Sequence, residues 1–287
     1  MRYTIDTSGL EHPVIAIVGC GGTGGFVAEG VCRLLGDRQA TLALIDPDRV
    51  EPHNLRRQAF YECDLGKFKS KVLAERLMRN YGRPVAYSVY PYSSDHHRPM
   101  FGRYGGSSGI VIGCVDNPEA RKAIAQEVAD RLWWIDSGNG ENSGQVLIGN
   151  TIRGESLKRS FHEDAGVCVR LPLPTVQVPE LLMPVVESAP AALDCAEAVE
   201  VGGQSPVINE VMAGLVKQFV HRLLTGTLSW MGIYVDLDLG TLRPVEANPA
   251  AVARISGLSQ KALVTSNGYN PRRLCPNCGR YHARGEL

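Results

Sequence analysis

Apolar residues fall into short runs separated by segments with helical spacing. Val14–Gly19 (VIAIVG) is an apolar run that stops on glycine, the pattern of a buried parallel strand. Gly22–Leu35 follows, with Phe26, Val27, Val31 and Leu34 at helical spacing. Thr41–Asp46 predicts a second strand. Gly66–Asn80 predicts a helix whose stripe is Val72, Leu73, Leu77 and Met78. Pro84–Tyr90 and Gly109–Val115 predict further strands, Pro118–Asp130 a helix with proline in its first turn, and Leu132–Asp136 a fifth strand. This alternation predicts an α/β fold with a doubly wound, mostly parallel sheet and helices on both faces.

The second half breaks the rhythm. Gly144–Thr151 reads as a strand, and the Pro-rich stretch Gly154–Ala192 as a long loop or crossing segment. Pro206–Leu224 is helical and stops at Gly226. Trp230–Leu239 alternates and predicts an antiparallel extension at the sheet end. From Arg243 on the chain reads as irregular. The division is therefore a body over 1–240, with a crossover segment at 152–205, and a tail over 241–287. His96-His97 reads as an exposed loop, and Trp133-Trp134 as a strand end with one ring in the core.

Composition narrows the function classes. The 287 residues carry 30 Lys+Arg against 30 Asp+Glu. No cationic excess exists to displace phosphate counterions, so nucleic acid is not the expected partner. No apolar run approaches the roughly 20 residues of a membrane span, and Met1–Pro13 lacks the pattern of an export signal. With eight cysteines and no such signal, reduced thiols in a cytoplasm are expected.

The first candidate chemistry is Gly19-Cys20-Gly21-Gly22-Thr23-Gly24, a G-x-G-x-x-G between strand and helix. Gly19 permits a tight turn, Gly21 lets backbone approach a phosphate, and Gly24 lets helix and strand pack closely. The helix N-terminus offers free N–H groups to an anion. Asp46, 22 residues beyond Gly24, is placed for ribose hydroxyls, which suits NAD and ATP equally. The stretch Asp46-Pro47-Asp48-Arg49-Val50-Glu51-Pro52-His53-Asn54-Leu55-Arg56-Arg57-Gln58 then supplies two acids, an Asn and a guanidinium, with Lys71 on the next helix. Added cations suit a triphosphate better than a pyrophosphate already held by a helix. Asp116, in Cys114-Val115-Asp116-Asn117 after the fourth strand, is a candidate for Mg²⁺ beside substrate phosphates.

Together, G-x-G-G-x-G, then D-x-D-x-V-x-x-x-N-L-x-R-Q, a helical Lys and a D-N after strand four resemble the ThiF/MoeB/ubiquitin-activating superfamily. The resemblance runs through Val14–Ala125 and returns near Cys195–Leu224. The short chain and its terminal Cys-Pro-Asn-Cys-Gly resemble the ThiF-like proteins of bacterial PRTRC gene clusters. The resemblance implies a Rossmann-like adenylation domain and an ATP- and Mg²⁺-dependent reaction. In it, the C-terminal glycine of a ubiquitin-like β-grasp protein is adenylated and pyrophosphate is released. It assigns Asp46 to ribose, Asn54, Arg57 and Lys71 to phosphates, and Asp116 to Mg²⁺, with Asp48, Gln58 and Asn117 in the same nucleotide pocket. It also implies a homodimer and, through the gene clusters, a conjugating-enzyme-like partner. Arg2 is the sole candidate for an arginine acting across such a dimer. Two other readings stay open: an NAD(P)-dependent oxidoreductase on the same glycine turn, and a non-catalytic nucleotide-binding scaffold.

Two cysteine features remain. Cys195, in Asp194-Cys195-Ala196-Glu197, stands where the resemblance allows a cysteine to take the activated acyl group as a thioester, although its flanking acids raise a thiol's pKa. Cys275-Pro276-Asn277-Cys278-Gly279 is half of a structural zinc site, with His282 and either Cys168 or His162 as candidates to complete it. A redox pair or an unliganded turn are the alternatives.

Overall fold

The structure is a computed structural model. It describes residues 1–101, 109–128, 132–183, 206–266, 268–269, 273–274 and 281–282, the last two pairs by backbone alone. Eight strands form one sheet: β1 (Val14–Val18), β2 (Thr41–Ile45), β3 (Val85–Ser88), β4 (Gly109–Gly113), β5 (Leu132–Asn139), β6 (Ser143–Gly149), β7 (Trp230–Asp236) and β8 (Thr241–Glu246). Their order is β8-β7-β6-β5-β4-β1-β2-β3. Strands β3 to β5 in that order are parallel, and β6, β7 and β8 continue antiparallel. The chain winds outward from β1 through β2 and β3, then restarts on its other side at β4. Ligand crevices form at such a switch point, outside the carboxyl ends of the strands.

The apolar runs of β1, β2 and β4 are buried along their length because both sheet faces are covered. On one face lie α1 (Gly22–Leu35), α2 (Lys69–Tyr81) and α4 (Pro206–Leu224), packed on Ile15, Ile17, Leu44 and Ile112. The other face carries α3 (Pro118–Glu127) and Leu173 against Ala16, Val18 and Val111. Trp133 and Trp134 are adjacent on β5 and so point to opposite faces. Both rings are buried, one in each core, where the sequence reading placed only one.

Three expectations change. Over residues 243–265 the chain is not irregular. β8 is the sheet's edge strand, and α5 (Pro249–Ser256) buries Ala251 and Val252 in the main core. Its caps are Asn248, whose side chain accepts from Ala251 N, and Gly257 in the left-handed region. The crossing segment contains strands: Phe161–His162 and Val167–Cys168 join Thr4–Ile5 and Val264–Thr265 in a small four-stranded sheet. His96-His97 is not a loop, and only His96 is exposed. The pair ends a short helix, Ser94–His97, and His97 is buried with Nε2 3.0 Å from Ser88 Oγ. Burial lowers the His97 pKa.

Candidate nucleotide site

The glycine turn at the end of β1 adopts the geometry its residue types require. Gly19 has φ +87°, and a Cβ there would lie 2.5 Å from Cys114 O. A Cβ on Gly24 would overlap Gly19 O, so α1 starts against β1 only because that position is bare. No side chain caps α1; its N-cap is Gly21. The first N–H groups of the helix are therefore offered to a ligand.

Asp46 joins this turn to the next. Its Oδ2 accepts from Cys20 N at 2.5 Å and its Oδ1 from Asp48 N at 2.8 Å. The residue is 5% exposed. Desolvation raises its pKa, against the lowering effect of those two N–H groups and of Lys69. A carboxylate has about four lone-pair sites, so two backbone bonds leave capacity for sugar hydroxyls. Below it, buried Ser70 donates to Asp46 O, at 2.9 Å.

The cation beside these acids is Lys69. Its Nζ lies 3.1 Å from Asp48 Oδ2, with the lysine side chain 9% exposed and the aspartate 64%. Lys71 points elsewhere: its Nζ lies 3.9 Å from Glu75 on the outer face of α2 and it is about half exposed. The structure thus places Lys69, not Lys71, beside Asp48. α2 starts at Lys69, not Gly66, and two residues along a helix rotate a side chain by about 200°. The sequence signal was available, since Lys69 falls three residues before Val72 and four before Leu73, on the buried stripe.

The remaining candidates divide between the pocket and its frame. Asn54 is buried and its Oδ1 accepts from Glu51 N at 3.0 Å, so it shapes the turn over Pro52–Arg56. Arg57 is half-buried just after that turn. Gln58 lays its amide against Gly21, with its Oε1 buried and unpartnered among the described residues. Asn117 caps α3 by accepting from Ala120 N at 2.8 Å. Asp116 is exposed beside the glycine turn, whose Gly19 packs on Cys114. An exposed carboxylate is the type of ligand Mg²⁺ takes, one or two of them together with substrate phosphates.

One pair escaped the sequence reading. Arg121 Nε lies 3.3 Å from both carboxylate oxygens of Asp136, and both residues are buried. Desolvation pushes the Asp136 pKa up to about 6 in spite of the guanidinium. An Arg on a mixed helix reads as solvated. The available signal was an Asp closing an apolar strand.

Cys195, Cys275 and Cys278 lie outside the described residues, as does the side chain of His282. Cys168 is buried, its Sγ donates to Arg170 O at 3.2 Å, and burial raises its pKa. Phe161 pairs with Cys168 and His162 with Val167, so His162 and Cys168 project from opposite faces of that small sheet and do not converge on one ion. Among the described residues no group of three or more His, Cys, Asp or Glu could hold a metal. None of their helices is long and apolar enough to cross a membrane.

A doubly wound sheet with this glycine turn and an Asp-Asp-Lys cluster at its strand tips is a Rossmann-like α/β fold. The chain belongs to the ThiF family, whose profile matches residues 6–251. It is similar to ubiquitin-like modifier-activating enzyme 5 of Mus musculus, 34% identical over 54% of this chain and 40% of that one, and to its Dictyostelium discoideum counterpart, 32% identical over 51% and 40%. The chain thus spans less than half the length of these relatives. Among solved structures, PaaA aligns with TM-score 0.57 and 20% identity over 84% of this chain and 74% of its own. MccB of E. coli aligns with TM-score 0.54 and 17% identity over 84% and 65%. These two establish the shared fold.

Proposed function

We propose that this protein adenylates the C-terminal carboxylate of a ubiquitin-like β-grasp protein with ATP and Mg²⁺, releasing pyrophosphate. The observation that carries the reading is the buried Lys69 ammonium against Asp48, whose backbone N–H shares the Asp46 carboxylate with Cys20 of the glycine turn. A dinucleotide needs one acid for its ribose and a helix N-terminus for its pyrophosphate. A second acid and a desolvated cation suit a longer polyphosphate. The similarity to ubiquitin-like modifier-activating enzyme 5 supports the same reading. A solved structure of MccB contains AMPCPP and MccA, which shows that the fold accommodates a nucleotide analogue and a partner in that protein.

In this scheme the attacking group is a carboxylate, already a nucleophile, so no strong general base is needed. Catalysis is alignment at the α-phosphate and neutralisation of the leaving pyrophosphate. The α1 N-terminus receives phosphate oxygens, Asp46 holds ribose, and Lys69 and Arg57 face the leaving group. Asp116 would hold Mg²⁺, which supplies charge neutralisation on the phosphates. Transfer to Cys195, a zinc site around Cys275 and Cys278, a homodimer and a conjugating-enzyme-like partner extend the same proposal, as does a place among the PRTRC-system ThiF proteins.

The test is exchange of labelled pyrophosphate into ATP with candidate β-grasp proteins, followed by intact-mass measurement of the carrier. Exchange and an AMP adduct on the carrier are expected. Reduction of NAD(P)⁺ without exchange would replace this reading with the oxidoreductase one. Nucleotide binding with neither reaction would favour a scaffold.

A further inference from the structure

Across the glycine turn from Asp46 lies a second polar cluster: Thr23, Asn139 and Asn209. Thr23 stands in the first turn of α1, Asn139 ends β5, and Asn209 lies in the first turn of α4. Asn209 is 1% exposed. Its Oδ1 receives the Thr23 hydroxyl at 3.3 Å and Asn139 Nδ2 at 3.4 Å. The Thr23 hydroxyl also lies 3.5 Å from Asn139 Oδ1, and the Asn139 amide on Asn209 Oδ1 leaves Asn209 Nδ2 turned toward the glycine turn. A Cβ on Gly22 would lie 2.5 Å from it. Nδ2 is buried and has no acceptor among the described residues. A buried donor without an acceptor is costly, so such a group at a helix N-terminus marks an oxygen ligand.

The order of the strands says which oxygen. Asp46 follows β2 and Asn139 ends β5, with β1 and β4 between. Three strand spacings of about 4.8 Å separate the two, roughly 14 Å. Lys69 and Asp48 lie on the Asp46 side. A nucleotide with its ribose at Asp46 therefore keeps its leaving phosphates near those charges and brings its α-phosphate to the turn. What remains beyond the turn, over β4 and β5, is the place of the group that attacks. We propose that Asn209 is the specificity-determining residue for that acyl group, its Nδ2 donating to the carboxyl oxygen of the carrier's last residue. Thr23 and Asn139 are the positioning residues that hold its orientation. The assignment rests on the adenylation reading above.

The experiment compares two ligands by calorimetry: AMP, and 5′-O-(N-glycylsulfamoyl)adenosine, which keeps the acyl group attached to the nucleotide. The parent protein is set beside Asn209→Asp, which keeps the shape and the acceptor but replaces the donor, and Asn209→Leu, which is apolar. The proposal expects both variants to bind AMP as the parent does and to bind the acyl analogue at least tenfold more weakly. Retained AMP binding also reports that each variant is folded. An equal loss for both ligands would place Asn209 on the phosphate and overturn the proposal. Unchanged binding of both would reduce it to a packing residue and also overturn it. If one variant fails to fold, the other decides. If the parent binds neither ligand, the adenylation reading itself falls. If it binds both and the variants match it, only the role of Asn209 falls.

Discussion

Single residues separate what the site does from what frames it. Lys69 and Lys71 are two positions apart, yet one is desolvated against Asp48 and the other lies in water beside Glu75. Lys69→Ala is expected to slow ATP–pyrophosphate exchange on the order of 10²–10³-fold, the usual loss for one transition-state electrostatic contact, with Lys71→Ala close to the parent. The Arg121–Asp136 pair gives a stability test. Asp136 has a folded pKa of about 6, above the unfolded value near 3.9. The folded state therefore binds the extra proton, and this group's contribution to stability is present at low pH and is lost as pH rises through about 6. Removing the guanidinium strips the carboxylate of its partner and raises that pKa further. Arg121→Met is thus expected to cost about 3–5 kcal/mol at pH 7.5 and clearly less at pH 5, where the carboxyl is neutral. Urea unfolding at the two pH values measures the difference. The sequence showed Asp46 and the glycines because each of those side chains, or its absence, has a local backbone cause. Arg121 was hidden because its burial depends on Asp136 from a different element, and Lys69 was passed over although its spacing to Val72 and Leu73 puts it on the buried stripe.

Elements follow the same logic. β1, β2 and β4 were legible because strands buried on both faces are continuous apolar runs. β8 was not, because Leu242-Arg243-Pro244 is an edge: its side chains are largely exposed and its proline needs no donor on the open side. β5 ran on to Asn139, beyond the reading that stopped at Asp136, because its glycine-containing end pairs with β6. The start of α3 carries a prediction that separates two roles. Asn117 accepts from Ala120 N and so caps this helix. Asn117→Ala is expected to lower stability by about 1 kcal/mol, the usual loss for a cap, while the Kd for ATP measured by calorimetry stays within twofold. A large loss of ATP affinity with unchanged stability would return Asn117 to the pocket.

At the scale of the molecule, the body does not close at residue 240. β8 completes the sheet, while Ala247, Ala251, Val252 and Leu263 are buried in the same core as Ile15 and Leu44. A chain ending at Leu239 is expected to lose cooperative thermal unfolding, and one ending at Ser266 to keep it, as differential scanning calorimetry would show. The sequence could not announce this, since a short helix of alanines and valines has little periodic signal of its own and gains its meaning from the sheet it covers. The carboxylate of Asp46 has a different reach. It fastens the Cys20 and Asp48 backbones to one point, so the two loops that wall the crevice share a single bolt. Any replacement there loosens both walls together, and weakened ligand affinity in such a variant would describe a misshapen cleft before it described a missing contact. Asp48, whose side chain reaches Lys69 and braces neither wall, is where recognition can be altered while the crevice keeps its form.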